Sequence, residues 1–284
     1  WITVPGTNPP VSLEIQVGQP TAILRAWAAD WNAYVEPLRD AEAIAALDPA
    51  KLVARVAPIL ETVARVREGL ATEAPRTTLI GLAGGWFTVA CYMLEGRGSK
   101  EFAAARGLAY ADPALFGRLI RTLQDATVEY LVAQAEAGAE ALMLFDSWAG
   151  MLSPSQFRRW VIEPTAAITR ALHRRCPGIP LIGFPRLAGP LLADYAARAG
   201  VDATAMDTSM DPRWAAQAVP PTMALQGNLD PQALVAGGAA LEAEARSILA
   251  AMRGRPYVFN LGHGIVPQTP PEHVTALMRI LRSA

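Results

Sequence analysis

Short apolar runs alternate with longer segments of helical periodicity from about residue 50 to the end of the chain. The runs show no regular polar alternation, which is typical of strands buried on both faces of a parallel sheet. Six such strands are predicted, at residues 78–82, 141–145, 181–184, 203–206, 222–226 and 257–261. The alternation of strand and helix predicts an α/β fold.

The helical segments carry apolar stripes that predict core packing. Two stripes have the spacing of one helix face, and they consist of Leu52, Val56, Ile59, Leu60, Val63, Val66 and Leu70, and of Val274, Leu277, Met278 and Leu281. A capping side chain followed by proline predicts five helix starts. These pairs are Asp112-Pro113, Ser153-Pro154, Asp211-Pro212, Asp230-Pro231 and Thr269-Pro270. Thr269 and Glu272 also have the spacing of a capping box.

The chain contains neither a Gly-x-Gly-x-x-Gly fingerprint nor a Walker loop. Repeated strand-helix units without a break favour one barrel over a doubly wound sheet. We therefore predict that residues 1–284 form a single (β/α)8 barrel of the TIM type, whose first strand-helix units are missing or diverged. Residues 1–35 match this pattern poorly, although "VSLEIQV" at 11–17 alternates like a strand.

Composition fits a compact globular protein. Of the 284 residues, 52% are hydrophobic and 18% are charged, and the 25 basic and 26 acidic side chains nearly cancel. That balance argues against a nucleic-acid partner. The sequence shows no apolar stretch long enough to span a membrane. Two widely separated cysteines, Cys91 and Cys176, are typical of a reduced cytoplasmic protein.

The candidate chemistry lies after the predicted strands, where barrels of this class place their active sites. The polar residues that follow the runs are Tyr92, Glu95, Arg97, Lys100, Asp146, Ser147, Arg186, Asp207, Asn228, Asp230 and His263. Several have a structural alternative, and Asn228 and Asp230 are better explained as a turn and a cap. Tyr92 could pack against a helix, Asp146 and Ser147 could cap their loop, and His263 between two glycines could be a loop residue. Arg186 could hold a carboxylate or lie solvated at the rim.

The histidines and cysteines lack the clustering that a zinc site requires, so no metal is expected. Ser147 lacks the Gly-x-Ser-x-Gly elbow of a serine nucleophile. The remaining candidate chemistry is a set of hydrogen-bonding and acid-base groups around a pocket without a cofactor.

Five segments, in this order, resemble the uroporphyrinogen decarboxylase family. They are "GWFTVACYMLEGRGSK", "LFDSWAGMLSPSQF", "IGFPRLAG", "ALQGNLDP" and "VFNLGHGIVPQTPPEHV", and the likeness runs from residue 36 to the carboxyl end. The resemblance implies a (β/α)8 barrel that forms a homodimer. It also implies removal of carbon dioxide from the four acetate arms of uroporphyrinogen III, giving coproporphyrinogen III in haem biosynthesis without cofactor or metal.

Carried over by motif, the family's substrate-binding residues fall on Tyr92, Ser147 and His263, with Arg186, Arg97 and Lys100 as possible helpers. Two family motifs, one like Arg-Gln-Ala-Gly-Arg and one like Phe-Ser-Asp-Ile-Leu, have no counterpart in these residues. Counting back from Tyr92 leaves Glu14 as the candidate for the family aspartate. The catalytic residue itself is not assigned.

Two other functions remain open from the sequence. One is a non-catalytic porphyrinogen-binding remnant, because the arginine and aspartate motifs are absent. The other is a corrinoid methyltransferase of the same superfamily, which would need a zinc-binding set of histidine and cysteine.

Overall fold

The computed structural model describes residues 37–38, 40–96 and 98–283. The chain divides into two compact units. The first consists of Trp1–Phe145 with Arg174–Ile179, and the second of Asp146–His173 with Pro180–Ala284.

Among the described residues, the first unit contains the two longest helices and two strands. Its described elements are α1 (Ala41–Ala45), a 3-10 turn (Pro49–Lys51), α2 (Leu52–Arg55), α3 (Ala57–Glu73), β1 (Ile80–Gly84), α4 (Trp86–Glu95), α5 (Ala103–Ala111), α6 (Pro113–Glu136) and β2 (Ala141–Asp146). Strands β1 and β2 are parallel, with Ile80 opposite Ala141 and Gly84 opposite Phe145.

Helix α6 anchors strand β1 through one buried amide. The Gln134 side chain donates to the Leu82 carbonyl (3.1 Å) and accepts from the Leu82 amide (3.0 Å). The Asp112 carboxylate accepts from the Leu115 amide (2.9 Å), which confirms the predicted start of α6. In the predicted stripe before β1, Leu52, Val56, Val63 and Leu70 are buried. That stripe belongs to two helices instead of one, because the helical dihedral angles break at Val56.

The second unit contains four parallel strands in the order β3-β4-β5-β6. Its elements are a 3-10 turn (Ala149–Met151), α7 (Pro154–Phe157), a π-helical turn (Arg158–Ile162), α8 (Glu163–Arg175, whose last two residues belong to the first unit), β3 (Leu181–Pro185), α9 (Leu191–Arg198), β4 (Ala203–Ala205), α10 (Pro212–Ala218), β5 (Ala224–Gln226), α11 (Pro231–Ala236), α12 (Gly238–Ala251), β6 (Tyr257–Val258) and α13 (Pro271–Arg282).

The predicted strands are all present, but their lengths differ. Strand β1 lies two residues later than predicted, and β5 and β6 are shorter. Beyond Val258 the chain no longer forms a regular strand, and a single parallel bridge joins Leu261 to Leu229. The predicted run 257–261 is therefore wrong at its end, because only its first two residues pair regularly.

One predicted helix start and one predicted capping bond need correction. Helix α13 begins at Pro271 with Pro270 at its N-cap, so Thr269 is not the cap and the capping box is wrong. The buried Thr269 hydroxyl has no hydrogen-bond partner among the described residues. Ser153 precedes α7 as predicted, but its side chain makes no capping bond. The predicted caps at Asp211 and Asp230 are confirmed.

The last apolar stripe is only partly a core stripe. Leu277 is buried, whereas Met278 is 43% exposed. The apolar stripe of α13 is wider than the surface that helices α11 and α12 cover. Met278, at the edge of the stripe, therefore remains in solvent.

Parallel strands alternating with helices confirm the predicted α/β class of barrel type. The described residues supply six of the eight strands of a complete (β/α)8 barrel. The strand predicted at 11–17 lies outside the described residues. Within the described part, none of the helices has the length and apolar character to cross a membrane.

Candidate active site

The segments that follow β2 and β3 are joined by backbone hydrogen bonds. The Arg186 amide donates to the Asp146 carbonyl (3.1 Å), and the Gly150 amide donates to the Arg186 carbonyl (3.0 Å). A side chain at Gly150 would not fit, because its Cβ would lie 2.3 Å from the Leu187 carbonyl oxygen. This close approach brings Ser147 and Arg186 together at the carboxyl ends of their strands.

The Arg186 guanidinium lies next to the backbone of Ser147. The residue is half-buried, and its Nη1 lies 3.5 Å from the Ser147 carbonyl oxygen, at the limit of a hydrogen bond. Across the part of the chain that the structure describes, Arg186 forms no ion pair with a carboxylate. A planar guanidinium with free N–H groups is well suited to bind a carboxylate through two parallel hydrogen bonds.

Asp207, just after β4, is a buried carboxylate with three hydrogen bonds. Its Oδ2 accepts from the Leu187 amide (2.7 Å), and its Oδ1 accepts from the amide (2.8 Å) and hydroxyl (2.5 Å) of Ser209. The residue is 4% exposed. Asp207 thus ties the loop after β3 to the loop after β4.

Asn228, which follows β5, fixes the loop that carries Asp207. Its Nδ2 donates to the carbonyl oxygens of Asp207 (2.9 Å) and Met210 (2.7 Å). Sequence reasoning explained Asn228 as a turn residue, but it is buried and bridges two loops. The sequence contains a signal for Asp207 and for Asn228, since each polar side chain directly follows a buried apolar run.

His263 lies in the loop beyond β6, as its glycine-flanked position predicted. The Gly262 amide donates to the Leu229 carbonyl (2.8 Å), and a Cβ at Gly262 would lie 2.3 Å from the Thr208 amide nitrogen. The close contact with the Thr208 backbone therefore requires glycine at position 262. The Gly264 amide donates to His263 Nδ1 (2.5 Å), so the neutral imidazole carries its proton on Nε2.

The charges of Arg186 and Asp207 both act on the His263 ring. Partial desolvation of the ring by neighbouring atoms lowers the pKa of His263 below its ordinary value. The positive charge of Arg186 lowers this pKa further, while the negative charge of Asp207 opposes both effects. At neutral pH the ring is therefore an uncharged donor through Nε2.

Tyr92 belongs to the first unit, on helix α4. Its half-buried ring packs edge-to-face on Phe102, with the ring centroids 5.9 Å apart. Lys100, in the loop after α4, is exposed. Arg97 and Glu14 lie outside the described residues. The Glu95 carboxylate accepts from the Ala104 amide (2.8 Å), which gives it a structural role at the start of α5.

The described residues contain no group of three or more histidine, cysteine, aspartate or glutamate side chains arranged to hold a metal ion. Both cysteines are buried. Ser147, Arg186 and His263, together with the buried Asp207, instead lie in the segments that follow four of the parallel strands. These features define the class: an α/β protein of barrel type with its candidate site residues at the carboxyl ends of its strands.

Comparison with known proteins gives the family. Residues 29–284 match the family described as uroporphyrinogen decarboxylase (URO-D), and the chain belongs to it. The chain is 60% identical over 237 residues to the uroporphyrinogen decarboxylase of Granulibacter bethesdensis. The alignment covers 84% of this chain and 69% of that protein. It is 54% identical over 252 residues to the uroporphyrinogen decarboxylase of Gluconacetobacter diazotrophicus, covering 86% and 71% of the two chains.

A solved structure supports the fold. A methyltransferase from Methanosarcina mazei superposes with a TM-score of 0.73 and 22% identity, over 89% of this chain and 71% of that one. Identity at this level carries the fold and not the activity. It does not favour the methyltransferase alternative.

Proposed function

We propose that the protein is a carbon-carbon lyase that removes carbon dioxide from the four acetate side chains of uroporphyrinogen III. The product is coproporphyrinogen III, an intermediate of haem biosynthesis. The observation that carries this proposal is the half-buried Arg186 guanidinium, which has no acidic partner among the described residues and lies beside Ser147 and His263. The identity of 60% to a uroporphyrinogen decarboxylase supports it.

The substrate chemistry explains why such a site is useful. Each acetate loses carbon dioxide only if the adjoining pyrrole is first protonated, because the resulting iminium accepts the electron pair of the breaking C–C bond. A proton then adds to the exocyclic carbon to give a methyl group, and loss of the ring proton restores the pyrrole. The substrate itself supplies the electron sink, so the proposed reaction uses neither cofactor nor metal.

The protein groups bind and orient this polyanion. Arg186 offers two parallel N–H groups to one carboxylate, and the neutral His263 offers Nε2–H to a second carboxylate or to a pyrrole. We assign the Ser147 hydroxyl to a further substrate contact, because the Ser147 backbone lies beside Arg186. A neutral histidine binds an anion less tightly than a charged one, which avoids stabilising the reacting carboxylate in the ground state.

Tyr92 is proposed as a further substrate contact. This assignment rests on the motif "GWFTVACYMLEGRGSK" and on the position of Tyr92 on the helix that follows β1. We also propose that residues 1–284 act as one barrel domain, that the protein is a cytoplasmic homodimer, and that it has neither a nucleic-acid nor a membrane partner. Sedimentation at several protein concentrations tests the dimer.

An anaerobic assay tests the activity. Purified protein is incubated with uroporphyrinogen III, the products are oxidised to porphyrins, and the number of carboxylates on each is read by chromatography. We expect sequential loss of four carboxylates, and prior dialysis against EDTA should not change the rate. Tight binding without any product would favour the non-catalytic porphyrinogen-binding alternative, which the identity to named decarboxylases does not favour.

A further inference from the structure

Leu187 has a backbone conformation that a leucine rarely adopts. Its φ is +60°, in the left-handed region, where a residue with a Cβ is disfavoured relative to glycine. It follows Arg186 directly, and its side chain is 40% exposed instead of being fixed by burial. The surrounding structure must therefore hold this conformation.

Asp207 supplies the strongest contact that does so. Its buried Oδ2 accepts from the Leu187 amide at 2.7 Å, and a hydrogen bond to a charged acceptor is stronger than a neutral one. The second oxygen is occupied by Ser209, and Asn228 fixes the Asp207 carbonyl. Contacts other than the one with Leu187 thus fix the position of the Asp207 carboxylate.

The same loop determines where Arg186 lies. The Arg186 backbone is bonded on one side to Asp146 and on the other to Gly150, so a change in the Leu187 dihedral angles must move the Arg186 side chain or break these bonds. We propose that Asp207 is a positioning residue, which aims the Arg186 guanidinium at a substrate carboxylate by holding Leu187 in the left-handed conformation. This proposal rests on the proposed function of the site.

Two substitutions separate the position of the carboxylate from its charge. Asp207→Asn keeps the shape, removes the charge and weakens the bond to Leu187, whereas Asp207→Glu keeps the charge but displaces the oxygen. For a positioning role, both variants should raise KM for uroporphyrinogen by about tenfold, the effect of losing one hydrogen bond. If only Asp207→Asn raises KM, the role is electrostatic and the proposal is wrong.

A third substitution tests the route through Leu187. Glycine adopts a positive φ without strain, so Leu187→Gly in the Asp207→Asn background should recover part of the lost kcat/KM. Asp211→Asn is the matched control, because Asp211 also accepts from a backbone amide (2.8 Å) but only caps helix α10. The control should keep the wild-type KM. Absence of any recovery in the double variant would contradict the proposed route.

A second readout is independent of turnover. The chain has three histidines, so the His263 signal can be assigned by NMR with a His263→Asn sample. Asp207→Glu should raise the pKa of His263, because it keeps the carboxylate charge while the Arg186 guanidinium, which lowers that pKa, is displaced. In Asp207→Asn the loss of the carboxylate charge opposes this effect, so Asp207→Glu is the informative variant. An unchanged His263 titration in Asp207→Glu would show that Arg186 has not moved and would contradict the positioning role.

The two proposals fail differently. If the wild-type protein makes no coproporphyrinogen, the proposed function fails, while the His263 titrations still report whether Asp207 acts on the site. If the wild-type protein is active and the Asp207 variants retain its KM, only the positioning role fails.

Discussion

Gly262 lies directly against Thr208, so that a Cβ at Gly262 would come 2.3 Å from the Thr208 amide nitrogen and 2.7 Å from its Cα. Real Cβ atoms do not approach backbone this closely, and backbone has less room to move than a flexible side chain. The contact joins the loop after β6 to the loop after β4. It therefore sets the distance of His263 from the segment that carries Asp207.

Replacing Gly262 with alanine should displace the His263 loop. We expect a fall in the free energy of unfolding of about 1–3 kcal/mol, as for overpacking in a protein interior, together with a fall in kcat/KM. Denaturant unfolding and the decarboxylation assay measure the two effects. Gly69→Ala is the control, because Gly69 is in helix α3 and has nothing within 4 Å of a new Cβ.

The control should be neutral or stabilising by up to about 1 kcal/mol, since alanine favours a helix more than glycine does. If Gly262→Ala were as stable and active as the control, then the loop after β6 would be free to move and would not fix His263.

The sequence predicted much of this site but not its internal contacts. The buried apolar runs were visible, so Ser147, Arg186 and His263 could be placed after strands that end on one side of a sheet. Asp207 was visible only as the end of a run. Its bond to the Leu187 amide joins residues 20 positions apart, and a carboxylate that caps a distant backbone leaves no local pattern.

Gly262 shows the same limit. The sequence indicated either a turn or a close approach to a bound molecule, and the structure shows a close approach to Thr208 instead. The error at Thr269 has a different origin. Two consecutive prolines, Pro270 and Pro271, both satisfy the preference for proline in the first helical turn, and the helix begins at the second.

The protonation of His263 gives a prediction for stability. Its folded pKa lies below the ordinary value of 6.5, so the fold prefers the neutral ring. The stabilising contribution is complete above the unfolded pKa and is lost as the pH falls through the folded pKa. Between pH 8 and pH 5, His263→Asn should therefore lose less free energy of unfolding than the wild type does.

Urea unfolding across this pH range measures the difference, and Gly69→Ala serves as the control, because it removes no ionisable group and has nothing within 4 Å of the new Cβ. A pH profile for His263→Asn that runs parallel to that of the wild type would contradict the lowered pKa. In the activity assay, losing the Nε2–H donor to a carboxylate should reduce kcat/KM by about 10- to 100-fold.

A substitution at Tyr92 tests the substrate contact that we propose for the first unit. Tyr92→Phe removes only the hydroxyl and keeps the ring that packs on Phe102. We expect an increase in KM for uroporphyrinogen of about tenfold with little change in the melting temperature, since one hydrogen bond to a charged ligand is lost. Tyr110→Phe, at a tyrosine that is 60% exposed, is the matched control and should retain wild-type kinetics. Equal kinetics in the two variants would reduce Tyr92 to a packing residue.

Arg186 should be required for its geometry as well as its charge. Arg186→Met removes the guanidinium and keeps a chain of similar length, so KM for uroporphyrinogen should rise by about 10- to 100-fold. Arg186→Lys restores a point charge but not the planar fork, and it should recover only part of the loss. Removing the positive charge should also raise the pKa of His263.

Steady-state kinetics and a histidine titration by NMR check both parts on the same samples. The surface substitution Arg246→Met is the control, because Arg246 forms a half-exposed pair with Glu242 on helix α12 and should affect neither quantity. Full activity in Arg186→Lys would show that charge alone is enough. An unshifted His263 pKa in Arg186→Met would mean that the two side chains do not share one site.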